Sequence, residues 1–285
     1  WVRQTDARSA DNVHRFAASN EPALWLIGLV VGAAVGAAAV LFRHGINAVQ
    51  WLWLGETSER MIDVVAAQPW WLIIAAPAVG GLIVGLFNQF VLTGRRAGGV
   101  ADVMEAGARG GAGLGFRNGI WSAIATAISL GSGASAGREG PVIHLGATLA
   151  SALTRAVRLS PMSGRVVLAC GTASAISASF NAPIAGVLFA HEVILRHYSI
   201  RAFVPIVIAA AAGTLVGRYF IGNVDAFEVA NYTISTYWEI PAFALLGVAA
   251  AAVAILFQFA LIVFDHSARA IVMPDWLRPV IGGFC

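Results

Sequence analysis

The sequence predicts an all-α membrane protein that combines spanning helices with shorter helices ending inside the membrane. Hydrophobic residues make up 58% of the 285 residues and charged residues only 12%, whereas soluble domains carry about 25% charged residues. Several apolar segments reach the roughly 20 residues that a bilayer requires. Other apolar segments are shorter and interrupted by glycine, which a membrane tolerates only where the broken helix is buried in protein or lines a cavity.

The apolar segments divide the chain into a polar arm at residues 1–21 and a membrane domain at residues 22–285. Spanning helices are predicted at residues 22–42, 71–92, 203–220 and 241–264. Shorter helices are predicted at residues 101–108, 118–130, 141–157, 166–177 and 184–195, with the start of another at residue 278. Residues 43–69 are predicted to be a semi-polar connection, and residues 221–240 a polar loop.

The placement of arginine predicts the orientation of the chain in the membrane. The arm carries three arginines and residues 93–117 carry four, against two in residues 43–69. Cytoplasmic loops are enriched in Arg and Lys, so this bias predicts a cytoplasmic N-terminus. The sequence therefore indicates an integral multi-pass protein of the lipid bilayer, expected in the plasma membrane or the bacterial inner membrane.

Composition argues against several other functions. The arginines form no dense basic tract, so nucleic-acid binding is not expected. The two cysteines, Cys170 and Cys285, are far apart and suggest neither a metal site nor a disulfide framework. We expect no cofactor. An intramembrane hydrolase would need a nucleophile and a base on facing helices, and only Ser132 or Ser135 with His144 offers that pair. No motif supports them, so an enzyme is not predicted.

The segment Gly137-Arg138-Glu139-Gly140-Pro141 places an ionisable pair at the start of an apolar helix. Ionisable residues inside a membrane segment are costly and mark ion or proton pathways. Proline is favoured at the first helical position, so Pro141 predicts that the helix begins there. A helix amino end carries partial positive charge and free N–H donors, and it therefore binds anions. Glu139 can occupy such a site itself, or leave it and admit a soluble anion.

A second break, at residues 97–101, precedes a segment that is too short to span. Transporters use broken helices of this kind to aim amide ends at anions near the middle of the membrane. The two breaks lie about 40 residues apart, with one short helix between them. They predict two helix amino ends directed at one anion path.

Residues 137–141 read GREGP, and residues 180–189 read FNAPIAGVLF, followed by Glu192. These two motifs, and the distance between them, resemble those of the CLC family of chloride channels and chloride/proton antiporters. The resemblance covers residues 22–285, about the first half of a full CLC membrane domain. It implies a CLC-type inverted-repeat fold with broken half-helices, of which mainly the N-terminal repeat is present here.

By this resemblance Glu139 is the gating glutamate, which competes with chloride for the outer part of the pathway. The anion would be bound at the two helix amino ends. The residues expected there are Gly98, Gly99, Val100, Arg138, Glu139 and Gly140, with Arg138 acting electrostatically. The resemblance also implies a homodimer formed through helices 184–195 and 203–220, in which each subunit has its own pore.

The chain departs from the family pattern at three places. Gly98 stands where the family motif GSGIPE has an anion-coordinating serine, so selectivity among anions is open. Val193 replaces the glutamate that antiporters carry, which leaves only His191 and Glu192 as candidates for a proton pathway. The GxFxP segment and the tyrosine of the family's second half are absent, so we expect a longer polypeptide or a second chain.

These observations favour transmembrane chloride transport, through a passive voltage- or pH-gated channel gated by Glu139. Within the same family the alternatives are a chloride/proton antiporter and a fluoride exporter. An alternative of another class is a membrane fragment or subunit that does not conduct without a second half. An antiporter moves protons with chloride, whereas a channel does not, and this difference separates the first two.

Overall fold

The computed structural model describes residues 21–55, 61–92, 94, 96–111, 113–223 and 236–284, and no strand occurs among them. The predicted arm therefore lies outside the described residues except for Glu21. The helices are α1 Glu21–Leu54, α2 Met61–Ala66, α3 Trp70–Phe90, α4 Val100–Ala108, α5 Phe116–Gly131, α6 Glu139–Ala156, α7 Pro161–Phe180, α8 Pro183–Phe189, α9 Ile200–Ile221, α10 Glu239–Ala270 and α11 Arg278–Phe284. A π-helical segment, Ala190–Leu195, continues α8.

The predicted mixture of spanning and broken helices is confirmed. Helices α1, α3, α9 and α10 are long and apolar enough to cross a membrane. Helix α4 has 9 residues, and α8 with its π-helical segment covers 13 residues, Pro183–Leu195. These shorter helices cannot cross a bilayer alone, because about 20 residues are required at 1.5 Å of rise per residue.

Several predicted boundaries are wrong, among them the end of the helix predicted at residues 241–264, which continues to Ala270 as α10. Helix α1 continues to Leu54, so the predicted connection at residues 43–69 is helical in its first part, where Phe42 and Ile46 pack into the core. Helix α6 begins at Glu139, two residues before Pro141. Proline is compatible with any position of a first turn, because no intrahelical N–H bond is lost there. Helix α7 begins at Pro161 rather than residue 166, because the Ser160 hydroxyl caps it by accepting from the Ser163 amide.

Helix α7 forms the centre of the core and is enclosed by α1, α6 and α9. Its buried residues are mostly small, so the neighbouring backbones approach closely. A Cβ at Gly32 of α1 would lie 2.5 Å from the carbonyl oxygen of Ala209 in α9. Ser174 of α7 donates a hydrogen bond to the Gly32 carbonyl at 2.7 Å. This close packing fixes α1 relative to α7 and α9.

The chain divides into two compact units. The first contains residues 1–226 and 275–285, and it holds every predicted site residue. The second, residues 227–274, contains α10, a 32-residue apolar helix with no buried residue among those described. A helix that is hydrophobic all round is normally surrounded by lipid or protein.

Candidate functional site

The amino end of α4 lies against the second turn of α6. Gly98, just before α4, packs on the imidazole ring of His144 in α6. His144 follows Glu139 by five residues, about 8 Å along the helix axis. Both helices direct partial positive charge and free N–H groups towards their amino ends. The structure therefore brings together the two breaks that the sequence indicates.

At the amino end of α4, groups of the same chain already bind the two glycine amides. The Gly98 amide donates to the Ser122 hydroxyl at 2.7 Å, and the Gly99 amide donates to the Asp102 carboxylate at 2.8 Å. Asp102 is also paired with Arg96, whose Nη1 donates to Oδ2 at 3.0 Å. Val100, the third residue expected at this end, opens α4 and is half-buried. An anion at Gly98 or Gly99 would have to displace these groups.

Gly98 has a steric role that the sequence did not reveal. His144 is 4% exposed, and a Cβ added at Gly98 would overlap its ring, with Nε2 the nearest atom. Glycine therefore leaves the space that the imidazole fills. One sequence feature could have indicated this contact. Gly98 stands where the family has a serine, and the missing side chain leaves room for that of another residue.

Glu139 lies in the first turn of α6 and is half-buried. Its carboxylate folds back over Gly137, because a Cβ at Gly137 would overlap Oε2. Among the described residues, Glu139 makes no salt bridge. The next residue, Gly140, has no atom within 4 Å of the position a Cβ would take. The amino end of α6 is therefore open apart from its own glutamate.

Arg138 occupies the position directly before α6 and lies close to a second arginine. It is half-buried and lines a small cavity together with Arg43 of α1. Arg43 also lines an adjoining cavity with Arg218 of α9, whose Nε donates to Asn181 Oδ1 at 2.6 Å. The sequence singled out Arg138 but not Arg43, because 95 residues separate the two.

His191 and Glu192 are adjacent but face different surroundings. His191 is 1% exposed and stacks on Tyr198 at a ring distance of 5.2 Å. Its Nδ1 lies 3.2 Å from the His197 carbonyl oxygen, whereas its buried Nε2 has no partner among the described residues. Glu192 is exposed. Their segment packs near Gly107, at the carboxyl end of α4, about 14 Å from Gly98 by helix length.

The helices expected to form a dimer each have a buried face and an exposed apolar face. In α9, Ile206 and Ala210 are fully buried against the neighbouring helices, whereas Leu215 is 67% exposed. In the α8 region, Ala190 is buried and Ile184 is 76% exposed.

Of the two serines considered for a hydrolase, Ser132 makes its contacts with other residues than His144. Ser132 donates to the Ser129 carbonyl at 2.9 Å and packs on Gly80 of α3. His144 instead lies against Gly98.

Comparison with known proteins identifies the family of this chain. The family model for voltage-gated chloride channels matches residues 80–285, which include both motifs and both helix breaks. The chain belongs to the CLC family. A ClcB-like protein of Ralstonia nicotianae, named as a chloride channel protein, is 31% identical over 261 residues, which is 89% of this chain and 60% of that protein. This CLC chain thus spans about three fifths of that relative.

Two solved CLC structures share the fold. One, of a slow cyanobacterial Cl−/H+ antiporter, matches with a TM-score of 0.75 at 18% identity. The other, of a CLC-type fluoride/proton antiporter, matches with a TM-score of 0.72 at 22% identity. Each alignment covers 92% of this chain and 63% of the other. The all-α, partial CLC fold predicted from the sequence is therefore confirmed.

Proposed function

We propose that this chain forms part of an anion path that carries chloride across a membrane and that Glu139 gates it. The observation that carries the proposal is the open amino end of α6, where the half-buried Glu139 has no salt-bridge partner among the described residues. A helix amino end stabilises an anion by about 0.3–1 kcal/mol at exposed sites and up to about 2 kcal/mol when partly buried. Chloride and the Glu139 carboxylate would compete for that stabilisation.

In this mechanism the protonation of Glu139 controls access. The ionised carboxylate occupies the amino end of α6 and closes the path, whereas the neutral carboxyl is held less strongly there and swings away. The amide of Gly140 and the positive charge of Arg138 then act on the incoming anion, while Gly98, Gly99 and Val100 line the α4 side. Arg43 beside Arg138 would raise the local anion concentration. Acid therefore opens the path.

We further propose that transport is passive. Val193 cannot carry a proton, and His191 lies buried in an aromatic stack while Glu192 is exposed. The alternative is proton-coupled exchange through His191 or Glu192, or fluoride export, and the two structural relatives named as antiporters favour it. Transport, and not an enzymatic reaction, is the function proposed in either case.

The surroundings of the chain are part of the same proposal. We place it in the plasma membrane or bacterial inner membrane, with the N-terminus in the cytoplasm. The exposed apolar faces of residues 184–195 and 203–220 favour a homodimer formed through these helices. The unburied apolar surface of α10 fits contact with lipid or with further protein, and a non-conducting fragment or subunit is the alternative of another class.

Chloride efflux from liposomes, with external pH recorded at the same time, tests the proposal. The protein is used at its full natural length. Efflux without proton movement supports the passive channel. Efflux coupled to proton uptake supports the exchanger and directs attention to His191 and Glu192. Absence of efflux at both acid and neutral pH contradicts chloride transport.

A further inference from the structure

His144 is a buried side chain of α6 that lies at the start of α4. The residue is 4% exposed, and no hydrogen bond joins either ring nitrogen to another of the residues that the structure describes.

The ring lies where an anion would be stabilised. It covers Gly98, directly before the amino end of α4, and the ring occupies the space that a Cβ would fill, with Nε2 the nearest atom. The Asp102 carboxylate interacts electrostatically with His144, but its hydrogen bonds go to Arg96 and to the Gly99 amide. The imidazole therefore lies at a positive helix end, and no acceptor for its N–H is present among the described residues.

A second donor is present at the same point. Ser122 is 1% exposed, and its hydroxyl oxygen accepts a hydrogen bond from the Gly98 amide at 2.7 Å. A hydroxyl oxygen that accepts one bond still has its own hydrogen to donate. Ser122 and His144 thus bring two buried donors to Gly98 from different helices, an arrangement that suits a small anion.

We propose that His144, whose ring fills the space left by Gly98, is the side-chain donor to the transported anion at the amino end of α4. The inference rests on the proposed anion transport and adds the residue that sets affinity and selectivity on the α4 side. The anion it takes is a halide, because two converging donors with little free volume suit a small, single-atom acceptor. Ser122 supplies the second donor.

Two substitutions of similar length separate hydrogen bonding from packing. His144→Gln keeps an N–H donor, whereas His144→Met fills the space without one. Chloride binding is measured by isothermal titration calorimetry on the full-length protein in detergent, and flux is measured in liposomes. We expect His144→Met to weaken chloride binding about ten- to a hundredfold, the loss typical of a hydrogen bond to a charged group. His144→Gln should stay within about threefold of the original protein by the same reasoning.

Thr148 provides the matched control. It lies one turn further along α6, is fully buried, and also has an unpartnered hydroxyl among the described residues. Thr148→Val removes that hydroxyl at nearly constant volume. Chloride binding within about twofold of the original protein is expected, because Thr148 packs against Gly119 of α5 and not against Gly98.

A compensating pair keeps the test decisive if His144→Met folds poorly. His144→Ala empties the space over Gly98, and Gly98→Ser then places a hydroxyl donor in it. Gly98→Ser with His144→Ala should bind chloride at least fivefold more tightly than His144→Ala alone, about 1 kcal/mol by the factor of ten per 1.36 kcal/mol.

The outcomes distinguish this inference from the function on which it rests. If the original protein moves chloride and His144→Met binds and moves it equally well, His144 is only a packing residue and the inference is overturned. A compensating pair no better than His144→Ala also counts against it. If the original protein neither binds nor moves chloride or fluoride, the proposed function fails, and the inference is overturned with it.

Discussion

The amino ends of α4 and α6 lie close together, yet they differ in what occupies them. At α4, Ser122 and Asp102 accept the glycine amides and His144 covers Gly98. At α6, the space around Gly140 is open, and the tethered carboxylate of Glu139 lies over Gly137. Because the same helix dipole acts at both ends, the difference lies in the side chains. The amino end of α4 is closed by these side chains and favours fixed, selective contacts with an anion. The amino end of α6 is open, which favours exchange between the Glu139 carboxylate and a soluble anion.

The closed end should be the less tolerant of added volume. Gly98→Ala places a methyl group into the His144 ring, and overpacking of this kind typically costs about 1–3 kcal/mol. Gly99→Ala is the matched control, because its backbone φ of −142° suits any residue and no atom lies within 4 Å of the added Cβ. Thermal denaturation in detergent measures both. Equal stability of the two variants would contradict the steric role of Gly98.

The open end should respond most strongly to loss of its own carboxylate. Glu139→Ala removes the anion that competes with chloride at a partly buried helix end, where the interaction is worth up to about 2 kcal/mol. We expect chloride flux at neutral pH to rise by as much as roughly thirtyfold, by the factor of ten per 1.36 kcal/mol. Liposome efflux measures it. Arg138→Gln, at the same turn, removes a cation instead and should lower the flux.

A smaller effect is expected when the carboxylate at the closed end is neutralised. Asp102→Asn keeps an acceptor for the Gly99 amide but removes a negative charge from the amino end of α4. Chloride affinity should increase by about two- to fivefold, corresponding to 0.3–1 kcal/mol for a charge at an exposed helix end. Titration calorimetry with chloride measures the change. Glu105→Gln is the control, since Glu105 is exposed and pairs with Arg109 towards the other end of α4.

The comparison also shows what the sequence alone predicts. Apolar length and glycine breaks correctly predicted the spanning helices and the short α4, and two motifs identified the family. The sequence also indicated that two helix amino ends meet. These features are local, because each depends on a run of neighbouring residues.

The occupancy of each end depends on residues that are distant in sequence. Ser122 follows Gly98 by 24 positions, and His144 follows it by 46. Nothing in the local pattern around Gly98 indicates that its amide has an internal acceptor or that an imidazole fills its side-chain space. The apolar run of α1 ends before Arg43, so the sequence pattern does not predict that the helix continues to Leu54, where tertiary packing of Ile46 supports it.

The pH profile of chloride efflux, compared between the original protein and Glu139→Gln, tests the central claim most directly. Glutamine has nearly the same shape but cannot ionise. Since the neutral carboxyl leaves the path, flux through the original protein should increase as the pH falls, whereas Glu139→Gln should conduct at a constant level across the same range. A Glu139→Gln variant that keeps the pH dependence of the original protein would contradict the gate.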